Sequence, residues 1–325
     1  MSKLILSLGI IVSGLALGSA IQRLSKAGLI HLPISLDDLR KYLQKTALLF
    51  VLPVTVMGAI WIVDVPSISI AALPLIGVGA ITLGGIMAWG AARMLRLEPR
   101  KTGALIPCGS FTNIGSIGAL ICYLYLGEKG FALVPIYKLF EELTYYSVGF
   151  PIAKYFSTMD AVQDSTAARL KTLIGDPFIR VALSSILLGG MLNLFGLPRP
   201  DAFGVLNAIF IPLGTGMLLI SIGLAMRFKS VRHHLSACTL VTLIKFAIVP
   251  LCATTAAWLI GYGQVDDGLP LKVVMILSSM PVAFNALIPP SIYDLDLDLA
   301  NACWFFTTSA LIVVLPVLLM LINMI

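Results

Sequence analysis

Six polar side chains stand inside long apolar runs: Asn113, Lys138, Glu141, Glu142, Lys245 and Asn285. Lys245 lies in LVTLIKFAIVP, about ten residues from the end of its run, roughly 15 Å along a helix rising 1.5 Å per residue. Its own run contains no acid. Lys138, Glu141 and Glu142 share another run, where i,i+3 and i,i+4 spacing lets the lysine pair with either carboxylate. An ionisable group at such depth is costly and points to a role with a named partner. For Lys245 that role is to stand in for a bound cation or to face an anion. For Glu141 or Glu142 it is to pair or to carry a proton.

The asparagines are flanked by helix breakers. Pro281 precedes Asn285 and Pro289-Pro290 follows it; Pro107, Gly109, Gly115 and Gly118 surround Asn113. Proline removes a backbone donor and pushes the residue before it out of the α region. Each helix should therefore open near its asparagine and leave backbone amides and carbonyls unpaired. The half-helix N-termini at such breaks carry partial positive charge that suits a carboxylate.

Other chemistry finds no support. Asp294, Asp296 and Asp298 have calcium-loop spacing, but Leu299 and Phe305 replace the required glycine and closing glutamate, so a capping role is expected. Cys108, Cys122, Cys238, Cys252 and Cys303 form no CxxC motif, and His31, His233 and His234 have no ligand spacing. No metal or cofactor is expected. Gly115-Ser116-Ile117-Gly118 is not a nucleophile elbow, and no HExxH occurs, so an enzyme is not expected.

The elements that position these residues follow from composition. The chain has 325 residues, 58% hydrophobic and 12% charged, with a mean hydropathy of +0.99. A soluble domain carries about 25% charge. Half that charge cannot solvate a surface, which excludes an ordinary soluble enzyme, a disordered chain and a nucleic-acid-binding module. Apolar windows at about 4–22, 46–63, 69–92, 103–126, 131–153, 177–196, 202–226, 235–261, 269–293 and 299–324 are each long enough to span, and backbone in lipid must satisfy itself as helix. The first is counted as a span rather than a leader.

Lys and Arg are sorted unevenly among the connections. Sixteen (Arg23, Lys26, Arg40, Lys41, Lys45, Arg93, Arg96, Arg100, Lys101, Lys154, Arg169, Lys171, Arg180, Arg227, Lys229 and Arg232) follow spans 1, 3, 5 and 7, against four (Lys3, Lys129, Arg199 and Lys272) on the other side. The first set marks the cytoplasm, so both termini are expected outside a plasma membrane crossed many times. Five spans per half give the halves opposite topology: residues 1–158 form one repeat, 159–176 a cytoplasmic linker and 177–325 the inverted second repeat. FVLPVTVMGAIWIV (Phe50–Val63) and FIPLGTGMLLISIGL (Phe210–Leu224) share an early proline and a Gly/Thr/Met-rich body.

The fold class read from the sequence is an all-α polytopic membrane protein of ten helices, two inverted five-helix repeats with broken helices 4 and 9. Paired breaks in inverted halves point to the midplane site of a transporter. The expected substrate contacts are Asn113, Gly115, Pro281, Asn285, Pro289 and Lys245. Glu141 and Glu142 are candidates for the coupling ion, either H+ or Na+.

These residues also resemble a known family. Phe111-Thr112-Asn113-Ile114-Gly115-Ser116-Ile117-Gly118, with Gly127-Glu128 beyond it, resembles the Asn-x-Gly-x-x-Gly segment and Gly-Glu turn of the auxin efflux carrier family of membrane permeases. Met280–Ala286, then Tyr293-Asp294-Leu295-Asp296 and Leu299-Ala300, is similar to its second broken helix and the turn that follows. Lys245 with Pro250 is similar to the basic residue and proline of its eighth span. The family usually has a proline soon after the first Gly-x-x-Gly; Ala119-Leu120 stand here instead, so a less sharp break is expected in span 4. Glu141 and Glu142 have no family counterpart.

The resemblance implies a scaffold of spans 1, 2, 6 and 7, often dimeric, and a mobile domain of spans 3–5 and 8–10. Spans 4 and 9 would cross at the site, and the cargo would be a small organic anion. The implied partners are that anion, the lipid bilayer and a second copy of the chain. Two alternatives stand beside it: a sodium-coupled bile-acid-type symporter, and a membrane sensor that binds a ligand without moving it.

Overall fold

The structure, a computed structural model, describes residues 2–62, 68–157, 177–225 and 231–324. The expected linker at 159–176 lies outside the described residues, as do Arg169, Lys171, Arg227 and Lys229 from the charge count. Helices build the described chain, and the extended pairing within it is one antiparallel bridge between Thr112 and Val282. Among the described residues, seven helical stretches are by length and composition apolar enough to cross a membrane: Ile5–Lys26, Leu36–Ile60, Ile70–Met94, Ile114–Tyr137, Ala202–Leu224, Leu235–Leu259 and Leu297–Ile322. The windows read at 131–153, 177–196 and 269–293 contain shorter helical pieces. The described chain is thus all-helical, with several helices of membrane-crossing length and composition, as in a polytopic membrane protein.

α1 (Ser2–Lys26) is followed by α2 (Leu36–Thr46). The Ser35 hydroxyl accepts the Asp38 N–H at 3.1 Å, and Asp37 and Asp38 occupy the first turn, where helix-end charge favours acids. Arg40, Lys41 and Lys45, read as loop cations, are therefore helical and lead directly into the second span.

Among the described residues four helices widen into π-turns, at Ala47–Val51, just before α3 (Leu52–Ile60), and at Ile114–Gly118, Tyr145–Gly149 and Ile244–Ile248. Three of these end two residues before a proline: Pro53, Pro151 and Pro250. A proline cannot donate to the carbonyl four residues back and its ring crowds it, so the preceding turn opens.

The chain divides into two compact units. One comprises Met1–Asp64, Ala119–Pro135 and Ile174–Arg227; the other comprises Val65–Gly118, Ile136–Leu173 and Phe228–Ile325. In the first, α1 packs along Ala202–Leu224. Gly18 and Gly223 make this approach close: a Cβ on Gly18 would lie 2.9 Å from both Gly223 Cα and Leu224 N. Gln22 closes the contact by donating to the Leu224 carbonyl at 2.6 Å. Overpacking of this kind costs about 1–3 kcal/mol. Gly18→Leu is therefore expected to lower the thermal midpoint of the detergent-purified protein by several degrees. Gly9→Leu, which enters open space, is expected to leave it unchanged.

The same unit holds a helical hairpin. Ala119–Tyr137 is non-helical at Gly127 (φ 75°, ψ −165°), a conformation reserved for glycine. The Tyr123 and Phe131 rings lie 6.4 Å apart across this turn. Eight residues of straight helix would separate them by about 12 Å.

In the second unit, α4 (Leu73–Met94) packs on α5 (Pro99–Ser110) through Gly84, Ala88 and Gly109, leaving no room for a Cβ at Gly109. Ser110 donates its hydroxyl to the Ile81 carbonyl at 2.9 Å. α5 ends at Ser110 with a last helical bond from the Phe111 N–H to the Pro107 carbonyl at 2.8 Å, and Thr112 and Asn113 leave the helix before the π-turn at Ile114. Leu269–Ser278 likewise ends before Met280–Ala283, after which a 3-10 turn (Phe284–Leu287) and the short helix Ile288–Ile292 follow. The helix is thus broken outright at 112–113, although Ala119-Leu120 stand where the resemblance leads one to expect a proline. Arg100 ties the start of α5 to the far end of the second segment through the Asp294 carbonyl and carboxylate. Asp296 accepts the Leu299 N–H at 2.8 Å and caps Leu297–Ile322, the capping role expected of that acidic turn.

Candidate functional site

The two breaks meet inside the second unit. The Asn113 N–H donates to the Pro281 carbonyl at 2.9 Å, and the Ala283 N–H donates to the Phe111 carbonyl at 3.0 Å. Each extended segment thereby satisfies backbone groups that its own helix cannot reach. Thr112 and Val282 sit at the centre. Two amides remain, and side chains take them: the Thr112 N–H donates to the Tyr145 hydroxyl at 2.9 Å, and the Val282 N–H donates to Thr307 Oγ1 at 3.2 Å.

With Thr112 opposite Val282, the antiparallel register sets Asn113 against Pro281 and Phe111 against Ala283. Asn113 belongs to the break itself. It is buried, and its side-chain oxygen accepts Ser116 Oγ and, at 3.3 Å, the Ile117 N–H. Asn285 lies three residues past the bridge, half-buried in the 3-10 turn, and its side chain bonds no group among the described residues.

Lys245 reaches the first break. It lies in the π-turn before Pro250, is 1% exposed, and donates to Thr112 Oγ1 at 2.6 Å and to the Ser110 carbonyl at 3.2 Å. Both acceptors are neutral oxygens. No carboxylate among the described residues lies within ion-pair distance, so an anion arriving beside Nζ would favour the charged ammonium and pair with it.

Glu141 approaches the same break from the other side. Its Oε1 accepts the Tyr145 hydroxyl at 2.6 Å, and Lys138 Nζ lies 3.2 Å from its Oε2, the i,i+3 pairing that the spacing allowed. Tyr145 thus joins Glu141 to Thr112, and Phe111 stacks on its ring at 3.8 Å between centroids. Gly115 leaves room for Lys138: a Cβ there would lie 3.1 Å from Nζ. Pro281 supplies a carbonyl to the pairing, and Pro289 stands in the first turn of the short second half-helix. The side chain of Glu142 lies outside the described residues.

Sequence reasoning missed Thr112, Tyr145 and Thr307. One signal was present: Tyr145 follows Glu141 by four residues, on the same helical face. Trp304 was missed as well. It meets Phe284 edge-on at 6.2 Å, and its buried indole N–H, like Thr308 Oγ1 one turn on, has no hydrogen-bond partner among the described residues. Tyr145→Phe would strand the Thr112 amide and Glu141 Oε1 together. An unsatisfied buried group costs about 1–3 kcal/mol, so a clear drop in thermal midpoint is expected while the ring stack persists.

No family model matches the chain. It is similar to two curated archaeal proteins. An uncharacterized transporter of Methanothermobacter thermautotrophicus is 27% identical over 279 residues, covering 84% of this chain and 86% of the relative. An uncharacterized transporter of Methanocaldococcus jannaschii is 25% identical over 233 residues, covering 69% and 70%. Both relatives are named as transporters, in agreement with the expectation of a non-enzymatic role.

Proposed function

We propose that the protein is a secondary transporter of small organic anions, carboxylates above all, working by alternating access around the paired breaks. The observation that carries this reading is the buried Lys245 ammonium held at the first break by neutral oxygens alone. A carboxylate arriving beside it would neutralise the charge. The Asn285 amide, with no partner among the described residues, is available to the same ligand, as is the edge of Asn113.

The transporter names of the relatives and the crossing-length helices support the transport class. The antiparallel pairing of the breaks and the recurrence of a π-turn before proline in each half support two inverted five-helix repeats, residues 1–158 and 177–325, with spans 4 and 9 crossing at the site. Both termini would then lie outside the cell. Glu141 would carry a coupling proton, connected to the site through Tyr145.

The test is flux. Purified protein in proteoliposomes should move a labelled carboxylate, and Asn285→Ala and Lys245→Ala should each slow it. Unchanged flux in both variants would sink the proposed site. Binding without flux would make the protein a sensor.

A further inference from the structure

The sequence left four basic residues off the cytoplasmic side, and the site uses none of them. Two hold one element in the first unit. Lys3 donates to the Tyr125 carbonyl at 3.3 Å, and Arg199 pairs with Glu128. Both acceptors lie next to Gly127, at the tip of the hairpin Ala119–Pro135.

The Glu128 cluster is well enclosed. Arg199 and Glu128 are 13% and 19% exposed. Arg199 also donates to the Gly58 carbonyl at 2.8 Å, and Asn207 donates to Glu128 at 3.2 Å and to the Thr55 carbonyl at 3.4 Å. Asn207 Oδ1 is buried and accepts no hydrogen bond among the described residues. The hairpin thus docks by its tip onto three elements of its own unit: α1 through Lys3, the segment before Ala202 through Arg199, and Ala202–Leu224 through Asn207. The last two side chains are tied in turn to Leu52–Ile60. Its two chain ends have hinge material. The π-turn Ile114–Gly118 precedes it, and Pro135 and a non-helical turn at 138–140 close it.

We propose that the Glu128–Arg199–Asn207 cluster is a latch and that the hairpin Ala119–Pro135 is the gate it holds. A desolvated ion pair is a weak stabiliser because water competes for both charges, and apolar side chains would dock the hairpin at least as firmly. A polar tip has a second good state instead. When the hairpin lifts, Glu128, Arg199 and the stranded Asn207 oxygen are all hydrated, so docked and undocked forms differ little in free energy. That lifting of the hairpin serves carboxylate transport rests on the proposed function; the latch itself does not.

Hydrogen–deuterium exchange on the full-length purified protein, with no substrate present, tests the latch. In Glu128→Gln and Arg199→Gln, peptides covering Ala119–Pro135 should exchange about tenfold faster while those covering Leu73–Met94 and Leu297–Ile322 are unchanged. The charge swap Glu128→Arg with Arg199→Glu should restore protection. Should a single variant not fold, Glu128→Asp, which keeps the charge and shortens its reach, should show a smaller increase confined to the same peptides. Unchanged hairpin exchange would overturn the latch, as would an increase spread over the whole chain. A wild type without carboxylate flux would count against the transport reading and leave the latch standing.

Discussion

Lys245→Ala is expected to reduce carboxylate flux by a hundredfold or more, the largest effect on transport of any single substitution considered. The Lys245 side chain is buried, and among the described residues it hydrogen-bonds the Ser110 carbonyl and the Thr112 hydroxyl, with no carboxylate in ion-pair contact. Truncating one partner of a buried, hydrogen-bonded charge pair costs about 2–5 kcal/mol, and each 1.4 kcal/mol is tenfold in affinity. Lys245→Arg keeps the charge but changes its shape and reach, so it is expected to retain partial flux with weaker apparent affinity. Stability should respond oppositely. An alanine relieves the desolvation of an unneutralised charge, so the ligand-free Lys245→Ala protein is expected to unfold at the same temperature as wild type or higher. Proteoliposome flux and a thermal melt on the same preparations check both halves of this expectation.

Glu141→Ala should produce the largest loss of stability. It removes the acceptor of the Tyr145 hydroxyl and the partner of Lys138 in one step. Breaking a buried pair by deleting one member costs about 3–5 kcal/mol. The lower end applies here, because the Lys138 side chain is 31% exposed and partly solvated. The damage also spreads to the site: a freed Tyr145 hydroxyl no longer has a fixed orientation toward the Thr112 amide. A fall of many degrees in thermal midpoint is expected, and Glu141→Gln, which still accepts from Tyr145, should recover much of it. If Glu141 also carries the coupling proton, Glu141→Gln will be stable yet insensitive to an imposed pH gradient. That split separates its structural role from its transport role.

Much of the site was legible in the sequence because breaks in apolar helices are written in proline and glycine. Pro281 and the glycines around Asn113 announced two openings, and both occur within three residues of the expected places. A lysine amid LVTLI and FAIVP had to find polar partners, and it does so at the break. Register was not legible. The asparagines and their flanking breakers mark where the helices open, whereas the backbone pairing sets Thr112 against Val282 and Asn113 against Pro281. Side chains such as Asn catch the eye, but the pairing is decided by which amides the broken helices leave over. The same reason hid Tyr145 and Thr307: a tyrosine or threonine in a membrane helix is unremarkable until an orphan amide in another segment comes within 3.2 Å of its oxygen. The hairpin at Gly127 was read as a family-like Gly-Glu turn, and its docking by Arg199 depends on contacts across more than seventy residues of chain, which no local pattern encodes.

Binding to the purified protein tests most directly the claim that an anion is held beside Lys245. A small carboxylic acid and its uncharged amide analogue would be titrated calorimetrically against the wild type and Lys245→Met. The acid should bind the wild type, the amide should bind at least a hundredfold more weakly, and the variant should discriminate little between them. Equal affinity of the wild type for acid and amide, or undiminished binding of the acid by Lys245→Met, would contradict it.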